Sequence, residues 1–162
     1  MVDWSRKEYF AQLFKLPVAA GALICDDIGR VLLLKPKYRE QWLIPGGMVE
    51  TDESPIEAAT REIKEEIGLE ITLQSLLCLE YKPSQAADIN DRSLQFVFDG
   101  GVITGEQIQT IQLQVDECIE YRFCTLTEIT GVCSPGLEHR IKESLRAKEM
   151  GLAGYLENGQ KI

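Results

Sequence analysis

The sequence is poor in the residues that build disulfide or zinc scaffolds. It has one histidine and five cysteines among 162 residues, and no two cysteines form a C-x-x-C pair. An odd number of unclustered cysteines argues against a disulfide framework and against a Cys/His zinc site. We therefore expect scattered reduced thiols, which are typical of a cytoplasmic protein.

A long hydrophobic run is also missing. The longest one, residues 16–25, is about half of the roughly 20 residues that a membrane-spanning helix needs. The residues before it have the pattern of a short amphipathic helix that Asp3 caps and that presents Phe10, Leu13 and Phe14 on one face. We therefore expect neither a membrane span nor a secretory signal.

Basic residues are too few for a nucleic-acid surface. Lysine and arginine number 17 against 26 acidic residues, so the net charge is -9, and no basic stripe with interleaved aromatic residues occurs. A duplex nucleic acid would be repelled at long range. A small anionic ligand is compatible with this charge where local cations receive it. With 44% hydrophobic residues, the chain has the composition of one globular domain over residues 1–162.

Turn and cap residues divide the chain into strands and helices. The elements predicted after the first helix are, in chain order, a hairpin at 17–35, a short strand at 42–47, a helix at 55–67, strands at 69–82, 93–101 and 119–126, a helix at 135–150 and an Asn-Gly turn at 158–159. This order favours one mixed sheet with helices packed on it, of class α/β or α+β.

The helix at 55–67 has complete start and stop signals. Ser54 is the expected N-cap, Pro55 is the first helical residue and Glu57 completes a capping box. Gly68 is expected to end the helix. The local sequence therefore predicts both boundaries of this helix.

Two faces of this helix differ in chemistry. At 100° per residue, one narrow stripe is apolar and is expected to face the core; it consists of Ile56, Ala59, Ile63 and Ile67. Glu62, Glu65 and Glu66 occupy a neighbouring arc, so their carboxylates can point at one spot. Hard divalent cations such as Mg²⁺ and Mn²⁺ prefer such oxygen ligands. A solvated acidic helix face is the alternative, and spacing alone leaves both open.

The segment at 47–69, "GMVETDESPIEAATREIKEEIGL", resembles the signature motif of the Nudix family, the Nudix box. Every specified position is filled, in the order Gly47, Glu53, Arg61, Glu62, Ile63, Glu65, Glu66, Gly68 and Leu69. The preceding "WLIPGG" and the helix after Ser134 also resemble the family's usual flanks. A match at nine positions over 23 residues is specific, unlike a lone short motif.

The resemblance implies an α/β/α sandwich around a mixed sheet and hydrolysis of a diphosphate linked to another group. It implies that Mg²⁺ or Mn²⁺ is held by Glu62, Glu65, Glu66 and a backbone carbonyl of Gly46 or Gly47. It further implies that Arg61 holds the glutamates by ion pairing. Glu53 would brace the loop and helix, or support a metal ligand from outside the ligand set. The general base is expected to be Glu62 or an acid outside the motif, for which the candidates are Asp116, Glu117 and Glu120. A solvated loop explains those last three equally well.

Substrate phosphates need cations, and four basic residues lie nearest in sequence: Lys35, Lys37, Arg39 and Arg92. Ordinary surface charge is the alternative for each of them. Three aromatic residues are candidates to stack on a base or sugar, although core packing also explains them: Trp42, Tyr81 and Phe96. The polar loop within 80–96 is long enough to cover an extended ligand.

The favoured substrate is therefore a nucleoside diphosphate derivative, with ADP-ribose ahead of an oxidised nucleoside triphosphate. Two alternatives are a non-catalytic Nudix-fold module that binds nucleotide sugars and a structural domain with an acidic helix. The complete motif argues against a non-catalytic module. A homodimer would be unsurprising for the family.

Overall fold

The computed structural model describes residues 5–84 and 91–162, which form a mixed sheet with helices on both faces. The helices are α1 (Arg6–Gln12), α2 (Pro55–Ile67), α3 (Gly105–Gln109), α4 (Leu126–Ile129) and α5 (Pro135–Met150). The strands are β1 (Val18–Cys25), β2 (Val31–Pro36), β3 (Gly46–Met48), β4 (Leu76–Lys82), β5 (Ser93–Val102), β6 (Cys118–Cys124), β7 (Gly154–Glu157) and β8 (Gln160–Lys161).

The strand order is β6-β2-β1-β5-β4-β7-β8, and β3 pairs with β1 beside β2. Strands β1 and β2 form the predicted antiparallel hairpin. Strand β1 runs parallel to β5, and β4 runs parallel to β7, whereas β4 and β5 are antiparallel. The sheet is therefore mixed, and the predicted fold class is confirmed.

Alternation along the central strands sends side chains to two cores. Leu23 of β1 and Leu33 of β2 pack in the core that α5 covers, whereas Ala22 and Leu32 pack in the core that α2 covers. Successive residues of a strand point to opposite faces. Burial on both faces thus follows from the nearly continuous apolar sequence of these strands, and the result is the expected α/β/α sandwich.

The strand predicted at 69–82 is too long. Strand β4 begins at Leu76. Of the residues just before it, Gln74 donates its N–H to the carbonyl of Asp99, and the carbonyl of Ser75 accepts the N–H of Asp99. Leu69 and Leu73 are nevertheless buried in the α2 core. Their apolar spacing is due to burial beneath the helix and not to strand pairing. The pattern therefore predicted a strand that is longer than the one observed.

The first helix also differs from the prediction. Asp3 lies outside the described residues, and Ser5 caps α1 in a capping box with Glu8. Helix α1 ends at Gln12 because the next residue has extended backbone, so two of the three predicted face residues follow the helix. The three, which are all exposed, are Phe10, Leu13 and Phe14.

The C-terminal elements confirm the prediction. Ser134 caps α5, Gly151 ends it in the left-handed conformation, and Asn158 and Gly159 both have positive φ in the β7–β8 turn. The five cysteines are buried and form no disulfide. In the described ranges, no helix is long and apolar enough to cross a membrane.

Candidate active site

Helix α2 begins and ends where its cap residues predict. The Ser54 hydroxyl accepts a hydrogen bond from the Glu57 N–H, and the Glu57 carboxylate accepts one from the Ser54 N–H at 2.8 Å. Gly68 has φ +72° and donates its N–H to the carbonyl of Lys64. These caps fix the register of the helix and therefore the direction in which its glutamates project.

The core face of α2 is shifted from the predicted stripe. Ala59, Ile63 and Ile67 are buried as expected, but Ile56 is 37% exposed, so its assignment to the core is wrong. Ala58 is buried instead. Ala58 shares an i+4 row with Glu62 and Glu66, so the buried face of the helix turns toward the acidic arc.

Glu66 is buried against the glycine pair. Its Oε2 accepts the N–H of Gly46 at 2.8 Å, and its Oε1 lies 3.9 Å from the thiol sulfur of Cys118. Gly46 is held in place because it pairs with Gly21 of β1. The contact thus joins α2 to the sheet through backbone and carboxylate, with only 9% of Glu66 exposed.

The two glycines serve different purposes. A Cβ placed on Gly47 would lie 2.2 Å from Oε1 of Glu62, so the missing side chain makes room for that carboxylate. Gly46 has φ +143°, and a Cβ there would lie 2.4 Å from the carbonyl oxygen of Ala20. Gly47 therefore makes space for the site, whereas Gly46 makes space for the backbone of β1.

The matched variants Gly47→Ala and Gly46→Ala are expected to separate these purposes. Gly47→Ala displaces a side chain that can rotate, so activity falls on the order of 100-fold while the fold is retained. Gly46→Ala strains the backbone and overlaps β1, so the free energy of unfolding falls by at least about 2 kcal/mol. Urea denaturation and steady-state kinetics measure the two effects, and equal stability losses in both variants would contradict the assignment.

Arg61 binds three glutamates at once. Its Nη2 and Nε donate to Glu53 at 2.8 and 3.1 Å, and its Nη1 donates to Glu62 at 2.9 Å and to Glu65 at 3.1 Å. Glu53 also accepts the N–H of Glu50 at 2.8 Å. The network connects the loop before α2 to the middle of the helix and gathers the acidic side chains around the guanidinium of Arg61.

The pKa shifts follow from burial and this network. Hydrogen bonding to Glu53 is the largest of the effects that raise the pKa of Arg61, and the bond from Arg61 lowers the pKa of Glu53. Burial raises the pKa of Glu62 despite its ion pair with Arg61. Burial, together with the charges of Glu62 and Glu117, raises the pKa of Glu66 to about 8. Negative charge at Glu62 and Glu66 is therefore under-compensated.

The donor chemistry suits a divalent cation. Within 5–84 and 91–162, Glu66 has no ion pair, and no three acidic, histidine or cysteine side chains are arranged to hold a metal ion as they stand. Arg61 binds both Glu62 and Glu65. The Glu65 side chain is 50% exposed and free to exchange Arg61 for an ion. A buried carboxylate beside further carboxylates supplies the hard oxygen ligands that Mg²⁺ and Mn²⁺ prefer.

A further acidic residue, Glu117, reaches the site from the loop before β6. The N–H of Gln114 donates to the carbonyl of Glu66 at 3.0 Å, and the Gln114 amide donates to the Glu117 carboxylate at 3.4 Å. Glu117 thereby lies close enough to raise the pKa of Glu62 and Glu66.

The other two acids of this segment are placed differently. Asp116 is exposed, and Glu120 forms an ion pair with Arg122 at 3.1 Å. Of the three outside candidates, the structure thus brings Glu117 to the glutamates of α2.

The four basic candidates are not equivalent. The Lys35 ammonium donates to the carbonyl of Glu40 at 2.5 Å, so it braces its own loop. Lys37 and Arg39 are exposed in the same loop, whose backbone bonds the segment of Glu117. The guanidinium of Arg92 lies 5.4 Å from the ring centroid of Phe14. Lys37 and Arg39 are therefore the candidates best placed to contact a ligand beside the segment of Glu117.

The predicted stacking residues are largely committed to packing. Trp42 is buried in the α5 core, with the guanidinium of Arg122 4.8 Å from its ring centroid. Phe96 packs against the α2 core and stacks on Phe98. Tyr81, in β4, is half-buried.

Sequence reasoning missed Tyr38, which is 74% exposed. It stands two residues after Pro36 in the loop between β2 and β3. Its signal was available, since a large aromatic residue between two basic ones in a polar loop has no core to enter.

The chain belongs to the Nudix family. The family model for the NUDIX domain matches residues 15–147, which include the α2 core, the α5 core except Leu156, and the whole acidic site. Nudix hydrolases act on diphosphate bonds and generally use a divalent metal.

The relatives have different substrates in their names. The chain is 38% identical over 88 residues to the 8-oxo-dGTP diphosphatase of Proteus vulgaris, a match that covers 52% of this chain and 73% of that protein. It is 36% identical over 98 residues to the ADP-ribose pyrophosphatase of Methanocaldococcus jannaschii, covering 59% and 57%. The crystal structure of the MutT protein of Methanosarcina mazei Go1 is similar with a TM-score of 0.69, 26% identity and coverage of 85% and 99%.

Some relatives are much longer proteins. The chain matches 71 residues of the yeast mRNA-decapping enzyme subunit 2 at 30% identity, and these residues are 44% of this chain and 7% of that protein.

Proposed function

We propose that the protein is a metal-dependent pyrophosphohydrolase that cleaves a nucleoside diphosphate linked to another group. The observation that carries this proposal is the acidic site itself: Glu62, Glu65 and Glu66 project from one face of α2, and Arg61 gathers the first two of them. Such a network is more than a solvated acidic helix face, because Glu66 is buried and bonded to Gly46.

Glu62, Glu65 and Glu66 would hold the cation, together with a backbone carbonyl of Gly46. When bound, the ion supplies Lewis-acid stabilisation of charge on the phosphate oxygens. Arg61 keeps the carboxylates oriented, and Glu53 fixes Arg61 from the other side through its two hydrogen bonds. The caps of α2 and the glycine pair thus preorganise the acidic side chains before any ligand arrives.

A proton acceptor is needed for the attacking water. Glu62 is our candidate within the motif, because its carboxylate occupies the space that the missing side chain of Gly47 leaves. Glu117 is the candidate outside the motif, since its loop is bonded to the end of α2. Replacing each of them by Gln distinguishes the two, because only the base variant should flatten the acidic limb of the pH–rate profile.

ADP-ribose or a related nucleotide sugar is the proposed substrate, and its support is the likeness to the archaeal ADP-ribose pyrophosphatase. The loop expected to cover the ligand lies largely at 85–90, outside the described residues. An oxidised nucleoside triphosphate is the second candidate, because the match to the Proteus vulgaris 8-oxo-dGTP diphosphatase covers more of that relative's length.

The test is a substrate panel assayed with Mg²⁺, with Mn²⁺ and with excess EDTA. We expect phosphate-linked release from a nucleotide sugar that stops in EDTA, because the cation stabilises the charged transition state. Full turnover in EDTA would contradict the metal site. A kcat/KM at least about tenfold higher for 8-oxo-dGTP than for every diphosphate sugar, which is about 1.4 kcal/mol of discrimination, would replace the first substrate by the second.

The remaining expectations stay proposals. They are one domain over residues 1–162, a cytoplasmic location, no nucleic-acid or membrane partner, and a homodimer. The homodimer is supported by the exposed apolar side chains of Phe10 in α1 and of Leu13 and Phe14 directly after it; no residue of α1 is buried.

A further inference from the structure

The loop between β2 and β3 is braced by hydrogen bonds at its base and across it. At its base, Leu34 and Leu43 exchange backbone hydrogen bonds of 2.7 and 2.9 Å, and across it the Lys35 ammonium donates to the Glu40 carbonyl. Tyr38 stands near the tip and exposes 74% of its surface. A fixed loop that presents an aromatic ring to solvent loses little entropy when a flat ligand covers the ring.

The loop pairs with the segment of Glu117 and Cys118, which contacts the acidic site. Pro36 pairs with Cys118, whose thiol lies 3.9 Å from Oε1 of Glu66. The N–H of Lys37 donates to the carbonyl of Glu117 at 2.8 Å. Tyr38 is the next residue, so its backbone stands beside the segment that carries Glu117 and touches Glu66.

The acidic residues of the site act electrostatically on the Tyr38 side chain. Desolvation of the hydroxyl raises the pKa of Tyr38; the charges of Glu66 and Glu117 raise it further, whereas Arg39 lowers it. These carboxylates act on the hydroxyl only if it is within electrostatic reach of them. Together with the backbone contacts of Pro36 and Lys37, this places the exposed side chain of Tyr38 at the rim of the acidic site.

Packing does not explain this residue. Among the residues that the structure describes, Tyr38 belongs to neither core cluster. A large exposed aromatic side chain at the rim of a site is well suited to bury a flat ligand, because every nucleobase has a face on which a ring stacks.

We propose that Tyr38 is a specificity-determining residue that stacks on the base of the nucleotide whose diphosphate lies at the glutamates of α2. The inference rests on the proposed function and deepens it. It assigns the base to the β2–β3 loop, away from Trp42 and Phe96, which are packed in the cores. The ring of Tyr38, rather than its hydroxyl, provides the contact.

The test compares Tyr38→Leu, Tyr38→Phe and the control Tyr155→Leu. Tyr155 is also an exposed tyrosine, but it lies on β7, near the opposite end of the sheet from β2. We expect Tyr38→Leu to raise KM for the preferred nucleotide at least about tenfold with kcat within about threefold, since stacking contributes to binding more than to chemistry. Tyr38→Phe and Tyr155→Leu should keep KM within about threefold of the wild type.

Binding provides a second readout that chemistry does not affect. Titration calorimetry with α,β-methylene-ADP should show at least about tenfold weaker binding for Tyr38→Leu, whereas binding of methylenediphosphonate, which has no base, should be unchanged. A purely structural role would weaken both ligands alike and would overturn the proposal. An equal loss in Tyr38→Phe would also overturn it, because the ring is then not the contact.

The two proposals fail in different ways. If the wild type hydrolyses nucleotides but Tyr38→Leu matches it in KM and in α,β-methylene-ADP binding, the assignment of Tyr38 is wrong and the pyrophosphohydrolase stands. If the wild type hydrolyses no member of the panel with either metal, the proposed function itself is wrong, and the Tyr38 assignment falls with it.

Discussion

Replacing Glu66 by Gln is expected to lower kcat about 100-fold or more. The loss of one ligand charge removes several kcal/mol of electrostatic stabilisation from the transition state, and each 1.4 kcal/mol is about a factor of ten. The fold should survive, because Gln keeps the shape of the side chain and an oxygen that can accept the N–H of Gly46. Glu65→Gln should have a similar effect on kcat with no change in stability, since that side chain is half exposed.

Glu70→Gln is the matched control. Glu70 lies three residues after the end of α2 and is exposed. It is also a glutamate, but it forms an ion pair with Lys64 at 2.7 Å and not with Arg61. Its kcat should stay within about twofold of the wild type, because exposed pairs contribute little. Steady-state kinetics measure kcat. Calorimetric titration should show weaker Mn²⁺ binding in Glu66→Gln and unchanged Mn²⁺ binding in Glu70→Gln. A kcat near that of the wild type in Glu65→Gln or Glu66→Gln would remove that residue from the site.

The sequence predicted α2 well because its determinants are local. Ser54, Pro55, Glu57 and Gly68 act within one turn of each helix end, and the structure has each of them in its expected place. The same kind of signal marked two helices that were not predicted. Thr104 and Thr125 each begin a capping box, and α3 and α4 follow them. These helices are too short to show an apolar periodicity after the cap. They were not predicted because the prediction of helices relied on that periodicity.

The parts of the site that could not be predicted depend on contacts between distant segments. Glu66 and Cys118 meet across a sequence separation of 52 residues, and Glu117 approaches because its loop bonds the last turn of α2. Side-chain spacing along one helix contains no information about either contact. The same limit explains Ile56, whose position on the helical wheel suggested burial, although the buried side of the first turn of α2 is the one that carries Ala58.

Breaking the buried ion pair of Glu80 is expected to have the largest effect on stability. Glu80, in β4, is 2% exposed and binds the guanidinium of Arg140 from α5. Its other oxygen accepts the N–H of Gly159 at 2.6 Å, in the turn between β7 and β8. One carboxylate thus joins the last helix and the C-terminal hairpin to the sheet.

Arg140→Met should lower the free energy of unfolding by about 3 to 5 kcal/mol, because it leaves an uncompensated charge at Glu80 in the core. The double variant Glu80→Met/Arg140→Met should recover most of this loss, since two well-packed apolar side chains can replace a buried ion pair at little net cost. Urea denaturation of the wild type, both single variants and the double variant measures this coupling directly.

Lys142→Met is the matched control. Lys142 also lies on α5 and forms an ion pair with a glutamate, Glu138, at 2.5 Å, but this pair is on the surface. Its cost should be within about 1 kcal/mol. Hydrogen exchange adds a local readout: Glu80→Met should speed exchange of the Gly159 amide beyond the change in global stability, since that N–H loses its acceptor. If Arg140→Met costs no more than Lys142→Met, or if the double variant is as unstable as the sum of the two single variants, then Glu80 and Arg140 do not act as a coupled pair.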